Sequence, residues 1–205
     1  MTTSLTPTAR AQEYLQAADE GDLETVRAEL AGGVDIDAVN RQRRTAIMLA
    51  ATNKHYDVVE HLIAAGADID RQDETCFNPF LYACVHGDLR LVQMMVAAGT
   101  DLELVTRFGG NGITPAAEKG HLEIVQELLE TTEINVNHTN WVGWTPLLEA
   151  IVLGDGGERQ QRIVKLLLDA GASPHMTDKY GVPPLQLARQ KGFDEIAQLL
   201  VQAGA

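Results

Sequence analysis

The amino-acid sequence predicts an all-α fold in which helix-turn-helix units repeat along the chain. An anchor position that is glycine in five of six copies recurs at 21, 54, 87, 120, 154 and 192, at intervals of 33, 33, 33, 34 and 38 residues. Aliphatic residues at helical spacing follow the anchors, as at Val58 and Leu62. A fixed period of this length indicates an array of repeats, each of which packs against its neighbours.

We interpret each unit as two helices joined by a tight turn, followed by a short hairpin finger that leads into the next unit. The second helix stops at a glycine in clear copies such as Gly66 and Gly171, which suits a left-handed C-terminal cap. The predicted repeats are 11–39, 40–72, 73–105, 106–139, 140–177 and 178–205, after a flexible leader at 1–10. The terminal units are expected to turn polar faces outward.

Capping sequences open the first helices of several units. The clearest is Thr145-Pro146-Leu147-Leu148, and Thr45-Ala46-Ile47-Met48 and Asn78-Pro79-Phe80-Leu81 are good copies. Thr and Asn side chains accept backbone N–H bonds at a helix start, and Pro fits the first turn because its missing N–H has no partner to lose. These tetrads therefore predict helix starts rather than chemistry.

Taken with the anchors and the Ala65-Gly66-Ala67-Asp68 type of ending, these tetrads resemble ankyrin repeats over nearly the whole chain after residue 10. The resemblance implies an all-α ankyrin-repeat solenoid of about six repeats with short β-hairpin fingers. It also implies a concave groove, lined by fingers and first helices, that holds partner proteins. The family's tetrad histidine is absent from every copy, so we do not expect an idealised, hyperstable array.

Composition excludes several classes of function. The 205 residues carry 16 Lys and Arg against 29 Asp and Glu, a net charge of −13, which makes nucleic acid and anionic membranes poor partners. The two cysteines, Cys76 and Cys84, lack the spacing of a zinc or redox motif and indicate free thiols in a reducing compartment. No apolar stretch reaches the roughly 18 residues of a membrane span. We expect a monomeric cytoplasmic protein without a cofactor.

The sequence gives little support for catalysis or metal binding. His55 and His121 follow the anchors, where a structural hydrogen bond is expected, and no HxxxH or HExxH spacing occurs. The group Gly154-Asp155-Gly156-Gly157 lacks a P-loop lysine. It belongs to an insertion, Gly154 to Gln161, that we interpret as an edge loop or a partner contact.

The fourth unit is the most irregular. It opens with Arg107-Phe108-Gly109-Gly110-Asn111-Gly112 and then places Pro115 where other units have helix. Because Pro deep in a helix costs about 3 kcal/mol, we expect a late start with Thr114 as N-cap and Pro115 first. Loop 109–112 would then be open, with free N–H groups beside Arg107. This loop is the basis of the alternative hypothesis, a small-molecule or phosphate binder or an enzyme.

The aromatic residues fall unevenly, since five of the ten lie in or beside fingers. Aromatic residues and Arg are enriched at interface hot spots. The groove residues implied by the resemblance are Arg41, Arg44, Asn53, Phe77, His86, Arg107, Phe108, Glu118, Trp141, Trp144 and Glu149. Bracing between fingers is the competing interpretation for Phe108 and Tyr180, whereas we favour partner contact for Trp144.

The predicted function is a non-enzymatic protein-protein interaction module that binds a partner protein or peptide, centred on the third to fifth fingers. Adaptor, enzyme regulator and immunity-type inhibitor all remain open. Self-association through the aromatic residues is a further alternative.

Overall fold

The computed structural model describes residues 7–205, and this part of the chain forms twelve helices that follow one another in pairs. The helices are α1 Pro7–Glu20, α2 Leu23–Ala31, α3 Ala46–Thr52, α4 Tyr56–Ala64, α5 Pro79–His86, α6 Leu89–Ala97, α7 Ile113–Glu118, α8 Leu122–Thr131, α9 Pro146–Val152, α10 Glu158–Asp169, α11 Pro184–Gln190 and α12 Asp194–Gln202. Residues 7–10 of the expected leader are the first turn of α1. The remainder of that leader lies outside the described residues.

The capping predictions are confirmed. The Thr45 hydroxyl accepts a hydrogen bond from Met48 N, and the Thr145 hydroxyl accepts one from Leu148 N. Asn78 Oδ1 accepts the corresponding bond from Leu81 N at 2.9 Å. Each bond satisfies an N–H group that has no partner inside its own helix, which is why these residue types recur at this position.

The chain divides into two compact units, each with a core of its own. The N-terminal unit takes in residues up to Tyr82 together with Gln93–Thr100, and buries side chains such as Ile47 and Leu62. The C-terminal unit takes in Ala83–Val92 and Asp101–Ala205, and buries side chains such as Leu147. No helix among residues 7–205 is both long and apolar enough to cross a membrane.

The fingers close through one repeated set of hydrogen bonds. The residue that begins each finger, here called the base residue, donates its N–H to the carbonyl four residues later and accepts from the N–H three residues later, at 2.8–3.1 Å. The base residues are Asn40 and Asp73 in the N-terminal unit, and Thr106, Asn140 and Asp178 in the C-terminal unit. In four fingers the base Oδ1 also accepts two backbone N–H bonds. Each finger is thus a closed turn. The two residues that follow the base residue, here called the tip, point outward from it.

The predicted hairpin fingers are very short. Each is closed by the base hydrogen bonds, with the residue three positions after the base in the left-handed conformation, which is the arrangement of a hairpin loop with a G1 bulge. Among residues 7–205, the strand pairing beyond these turns consists of one antiparallel bridge, between Val39 and Thr45. The fingers are therefore tight hairpin turns on an all-helical scaffold.

Two predictions for the fourth repeat are wrong. Helix α7 begins at Ile113, so Thr114 lies within it, and its hydroxyl donates to Asn111 Oδ1 at 2.8 Å. Pro115 is the third helical residue, still in the first turn, where a missing N–H costs no intrahelical bond. Loop 109–112 is buried rather than open, and Gly109 N donates to Thr106 O at 2.8 Å.

The residues after the anchors are structural, as predicted for His55 and His121. His55 Nε2 lies 3.1 Å from Asp19 O, and His121 Nε2 lies 3.1 Å from Val85 O, so each ring joins its helix pair to the preceding one. Neither ring caps its own helix.

In the fifth repeat, the insertion from Gly154 to Gln161 supplies a contact equivalent to those of His55 and His121. Helix α10 starts at Glu158 and runs for 12 residues. From its first turn, the buried Gln160 Nε2 donates to both Ala117 O and Ala150 O at 2.9 Å. Part of the predicted edge loop is therefore a helical turn that joins two first helices.

Candidate functional site

Three consecutive fingers of the C-terminal unit carry large exposed side chains at their tips. We call the six residues the aromatic tips: Arg107, Phe108, Trp141, Val142, Lys179 and Tyr180. The exposed fractions are 64% for Phe108, 73% for Trp141 and 78% for Tyr180. Large aromatic side chains are rarely left this accessible in numbers, so this surface is the strongest candidate for a contact with another molecule.

The first two aromatic tips are held in a defined arrangement. Trp141 N donates to Phe108 O at 3.0 Å, which joins the two finger ends through their backbones. The Trp141 ring also lies over Gly109, where a β-carbon would come within 2.5 Å of Trp141 Cδ2. Trp141 is thus braced on one side by the preceding finger and open on the other. Bracing and partner contact, posed as alternatives by the sequence, are compatible here.

Cations lie on the faces of two tip aromatics. The Arg107 guanidinium carbon is 4.7 Å from the centroid of the Phe108 ring, and Lys179 Nζ is 5.1 Å from that of Tyr180. Both distances fall within the range of cation–π attraction. The contacts position each charge beside an apolar surface while leaving both side chains exposed.

Trp144 and Phe77 occupy the same position, four residues after their base residues, and both are half-buried. Trp144 N donates to Asn140 Oδ1 at 2.9 Å. The Phe77 ring meets the Tyr82 ring edge to face, with centroids 6.3 Å apart. Phe77 thus has a structural contact beside its predicted role, and Trp144 is less accessible than Trp141.

Glu149 lies in helix α9 and is only 7% exposed. Burial first, and then the charge of Glu118, raise the pKa of the Glu149 carboxyl to about 7, although a hydrogen bond from Asn140 Nδ2 and the nearby Lys119 oppose the rise. Asn140 is the base residue of the finger that carries Trp141. The Glu149 carboxyl therefore stabilises that finger through its hydrogen bond with Asn140. Glu149 is therefore placed to hold the finger rather than to receive a partner's basic group at the surface.

The remaining predicted residues are dispersed. Arg41 is an exposed tip and His86 is exposed at the end of α5. Arg44 Nε forms an ion pair with the buried Asp73 at 3.1 Å, which gives it an internal contact. In the same unit Asn53 Nδ2 donates to Asp19 Oδ1 at 2.8 Å, and in the C-terminal unit Lys119 forms an ion pair with the half-buried Glu118 at 2.7 Å.

The structure thus brings together Arg107, Phe108 and Trp141 of the predicted residues. It adds Lys179 and Tyr180, which were absent from the predicted set. A signal for both was present in the sequence, because the pair lies one and two residues after Asp178, in the register of Arg107 and Phe108 after Thr106. The finger position of Tyr180 follows from the sequence, and the base hydrogen bonds of Asp178 place Lys179 in the register of Arg107.

The loop proposed for anion binding, residues 109–112, is buried, and part of its backbone is already hydrogen-bonded within the protein. Thr106 N donates to Gly110 O at 2.9 Å, His138 Nε2 lies 2.6 Å from Gly109 O, and Gly109 N is already bonded to Thr106 O. Within residues 7–205, no cluster of three or more His, Cys, Asp or Glu side chains is positioned to hold a metal ion.

Helix pairs joined by closed finger turns, repeated along the described residues, define a helical repeat protein. The family model described as "Ankyrin repeats (3 copies)" matches residues 14–106 and 80–178. The chain therefore belongs to the ankyrin-repeat family, whose domains generally mediate protein-protein interaction and are generally non-enzymatic.

Similar proteins agree with this assignment. Ankyrin repeat protein YahD of Escherichia coli strain K12 is 62% identical over 193 residues, 94% of this chain and 96% of that protein. A crystal structure of an ankyrin repeat domain from Acinetobacter baumannii AYE matches with a TM-score of 0.90 and 43% identity, covering 94% of this chain and 97% of that one. Human protein phosphatase 1 regulatory subunit 27 is 32% identical over 87 residues, 42% of this chain and 53% of that protein.

Proposed function

We propose that this protein is a non-enzymatic interaction module that holds a partner protein on the aromatic tips and the groove behind them, and so acts as an adaptor, regulator or inhibitor. The observation that carries the proposal is the exposure of Phe108, Trp141 and Tyr180 on three consecutive fingers. Exposed aromatic side chains on a rigid base lose little conformational entropy on binding, which makes them effective interface anchors.

The rigid base supports the proposal independently. Each tip stands on a turn closed by base hydrogen bonds of 2.8–3.1 Å, and the tips at Phe108 and Trp141 are joined by a further backbone bond. A partner would therefore meet a preorganised surface. The similarity to a protein named as a regulatory subunit of a phosphatase supports a regulatory role.

We place this activity in the cytoplasm and assign it to a monomer. Cys76 and Cys84 are free thiols, as is usual in a reducing compartment. The net charge of −13 favours mutual repulsion between copies over association.

Affinity capture with matched variants tests the proposal. The native chain, a tip variant (Phe108→Ala, Trp141→Ala, Tyr180→Ala) and a control variant of the N-terminal tips (Arg41→Ala, Glu74→Ala) are each immobilised and exposed to an extract of the source cells. All five residues are exposed, so circular dichroism is expected to show three folded proteins. Mass spectrometry should find a protein retained by the native and control chains and lost from the tip variant. Equal retention by all three chains contradicts the proposal.

A further inference from the structure

The charge of the aromatic tips is opposite to that of the chain. The whole chain has a net charge of −13, yet its six tip residues in the C-terminal unit include two cations, Arg107 and Lys179, and no carboxylate. Among the described residues neither cation forms an ion pair, and both are exposed. A basic patch retained on an acidic protein favours an anionic group over a cationic one at that position.

The cations and aromatic rings form composite contacts rather than separate features. Arg107 lies 4.7 Å from the Phe108 centroid, and Lys179 Nζ lies 5.1 Å from the Tyr180 centroid. An incoming group would meet an apolar ring face with a positive charge at its edge. A carboxylate next to an apolar side chain fits such a contact, since the ring buries the apolar part and the cation pairs with the charge.

The middle finger is apolar. Its tip is Trp141 with Val142, exposed to 73% and 41%, and it contains no charged side chain. The surface therefore runs from basic to apolar to basic across three successive fingers.

The repeat spacing sets the length of a matching segment. Packed helices lie about 10 Å apart, so the first and third of these fingers are separated by roughly 20 Å. An extended chain advances about 3.3–3.6 Å per residue, so a segment of roughly six residues spans that distance.

We propose that the occupant of the aromatic tips is an extended segment of a partner protein with an acidic residue near each end and apolar residues between them. This inference rests on the proposed function and narrows it to one chemistry of partner. The acidic residues pair with Arg107 and Lys179, and the apolar centre packs on Trp141.

A peptide selection tests this assignment. A random 12-residue peptide library displayed on phage is panned on the immobilised full chain, and the enriched peptides are synthesised with a fluorescent label. Fluorescence anisotropy then gives dissociation constants for the native chain and three variants: Arg107→Glu with Lys179→Glu, Trp141→Ala, and the control Arg27→Glu in α2 of the N-terminal unit. All four sites are exposed, so each variant should retain the native circular dichroism spectrum.

We expect the enriched peptides to carry acidic residues on both sides of an apolar centre. The double charge reversal should weaken their binding at least about tenfold, and Trp141→Ala by a similar factor, whereas Arg27→Glu should change it less than about twofold. Affinity for the native chain should also fall as salt is raised, because exposed charge pairs are screened.

The possible contrary results separate this inference from the proposed function. Enriched peptides that need Trp141 but are neutral or basic, or that bind the charge-reversed variant equally well, overturn the acidic assignment and leave the aromatic tips as the binding surface. Enriched peptides that do not need Trp141, or a selection without enrichment, overturn both.

Discussion

The two fingers of the N-terminal unit and the three of the C-terminal unit close through the same base hydrogen bonds, yet they present different side chains. The N-terminal tips are Arg41-Gln42 and Glu74-Thr75, while those of the C-terminal unit are Arg107-Phe108, Trp141-Val142 and Lys179-Tyr180. A shared backbone with divergent tips means that the tip side chains can differ without changing the hydrogen bonds that close a finger. We therefore expect the choice of partner to depend on the side chains at the tips.

The fingers of the two units also differ in the residue type that adopts the left-handed conformation three residues after the base. The C-terminal fingers use glycine there, at Gly109, Gly143 and Gly181, whereas the N-terminal fingers hold Arg43 and Cys76 at φ of 61° and 62°. A left-handed conformation costs a non-glycine residue about 1 kcal/mol. The N-terminal fingers tolerate that strain within the same hydrogen-bond pattern.

The largest expected effect concerns a base residue. Replacing Asn140 with Ala removes the acceptor for Val142 N and Trp144 N and the donor to Glu149, so the free energy of unfolding should fall by about 3 kcal/mol. Asn40→Ala, which lacks a buried carboxylate partner, should cost about 1–2 kcal/mol. Urea denaturation followed by circular dichroism measures both. Equal losses would contradict the special role of Glu149 beneath the Trp141 finger.

The second effect is the pH dependence contributed by Glu149. Its pKa is about 7 in the folded chain against an ordinary 4.5, so the folded state holds its proton more tightly than the unfolded state. The native chain should therefore lose about 3 kcal/mol of stability as pH rises from 4.5 to about 8, with no further loss from this group at higher pH.

Glu149→Gln isolates this contribution, because the amide oxygen still accepts from Asn140 Nδ2 but carries no charge. The variant should be more stable than the native chain by about 2 kcal/mol at pH 8 and equally stable near pH 4.5. Parallel urea titrations at these two pH values provide the measurement. A stability difference that does not change with pH would show that Glu149 ionises normally.

The third effect compares two glycines with nearly equal backbone angles. Gly109 has φ of 83° and Gly181 of 78°, so Ala at either position should cost about 1 kcal/mol for the strained conformation. At Gly109 the new methyl group also meets the Trp141 ring, whereas no atom lies within 4 Å at Gly181. Gly109→Ala should therefore cost about 2 kcal/mol in total and shift the Trp fluorescence spectrum, since the ring must move. An unchanged spectrum would contradict the position of the Trp141 ring over Gly109.

The smallest effect is a gain in stability in the N-terminal fingers. Arg43→Gly relieves the left-handed strain but adds freedom to the unfolded chain, so we expect a net gain of only about 0.5 kcal/mol. Thermal unfolding should show a slightly higher Tm. A lower Tm would mean that the Arg43 side chain makes a stabilising contribution that outweighs its strain.

Residue types predicted the scaffold well. Thr45, Asn78 and Thr145 cap helices because their side chains act locally, within three residues, and local chemistry can be read from the sequence. The start of α7 was predicted too late, because burial of Thr114 and its bond to Asn111 outweigh the usual capping role of Thr. Tertiary burial of this kind leaves no local signature.

The candidate site was predicted only in part, for the same reason. Aromatic content and finger position identified Phe108 and Trp141, but the ion pair of Arg44 joins it to Asp73, 29 residues away. Likewise, the buried state of Glu149 depends on the surrounding helices. Which side chains remain exposed is decided by packing across repeats, and this could not be derived from the spacing of one repeat.

The most direct test of the central claim is the dissociation constant of a captured partner for the tip variant and for its N-terminal control. We expect Phe108→Ala, Trp141→Ala, Tyr180→Ala to weaken binding at least about 100-fold, while Arg41→Ala, Glu74→Ala stays within about twofold of the native chain. Calorimetry on the purified pair would measure both. Equal affinities, or a larger loss in the N-terminal control, would contradict the assignment of recognition to the C-terminal finger tips.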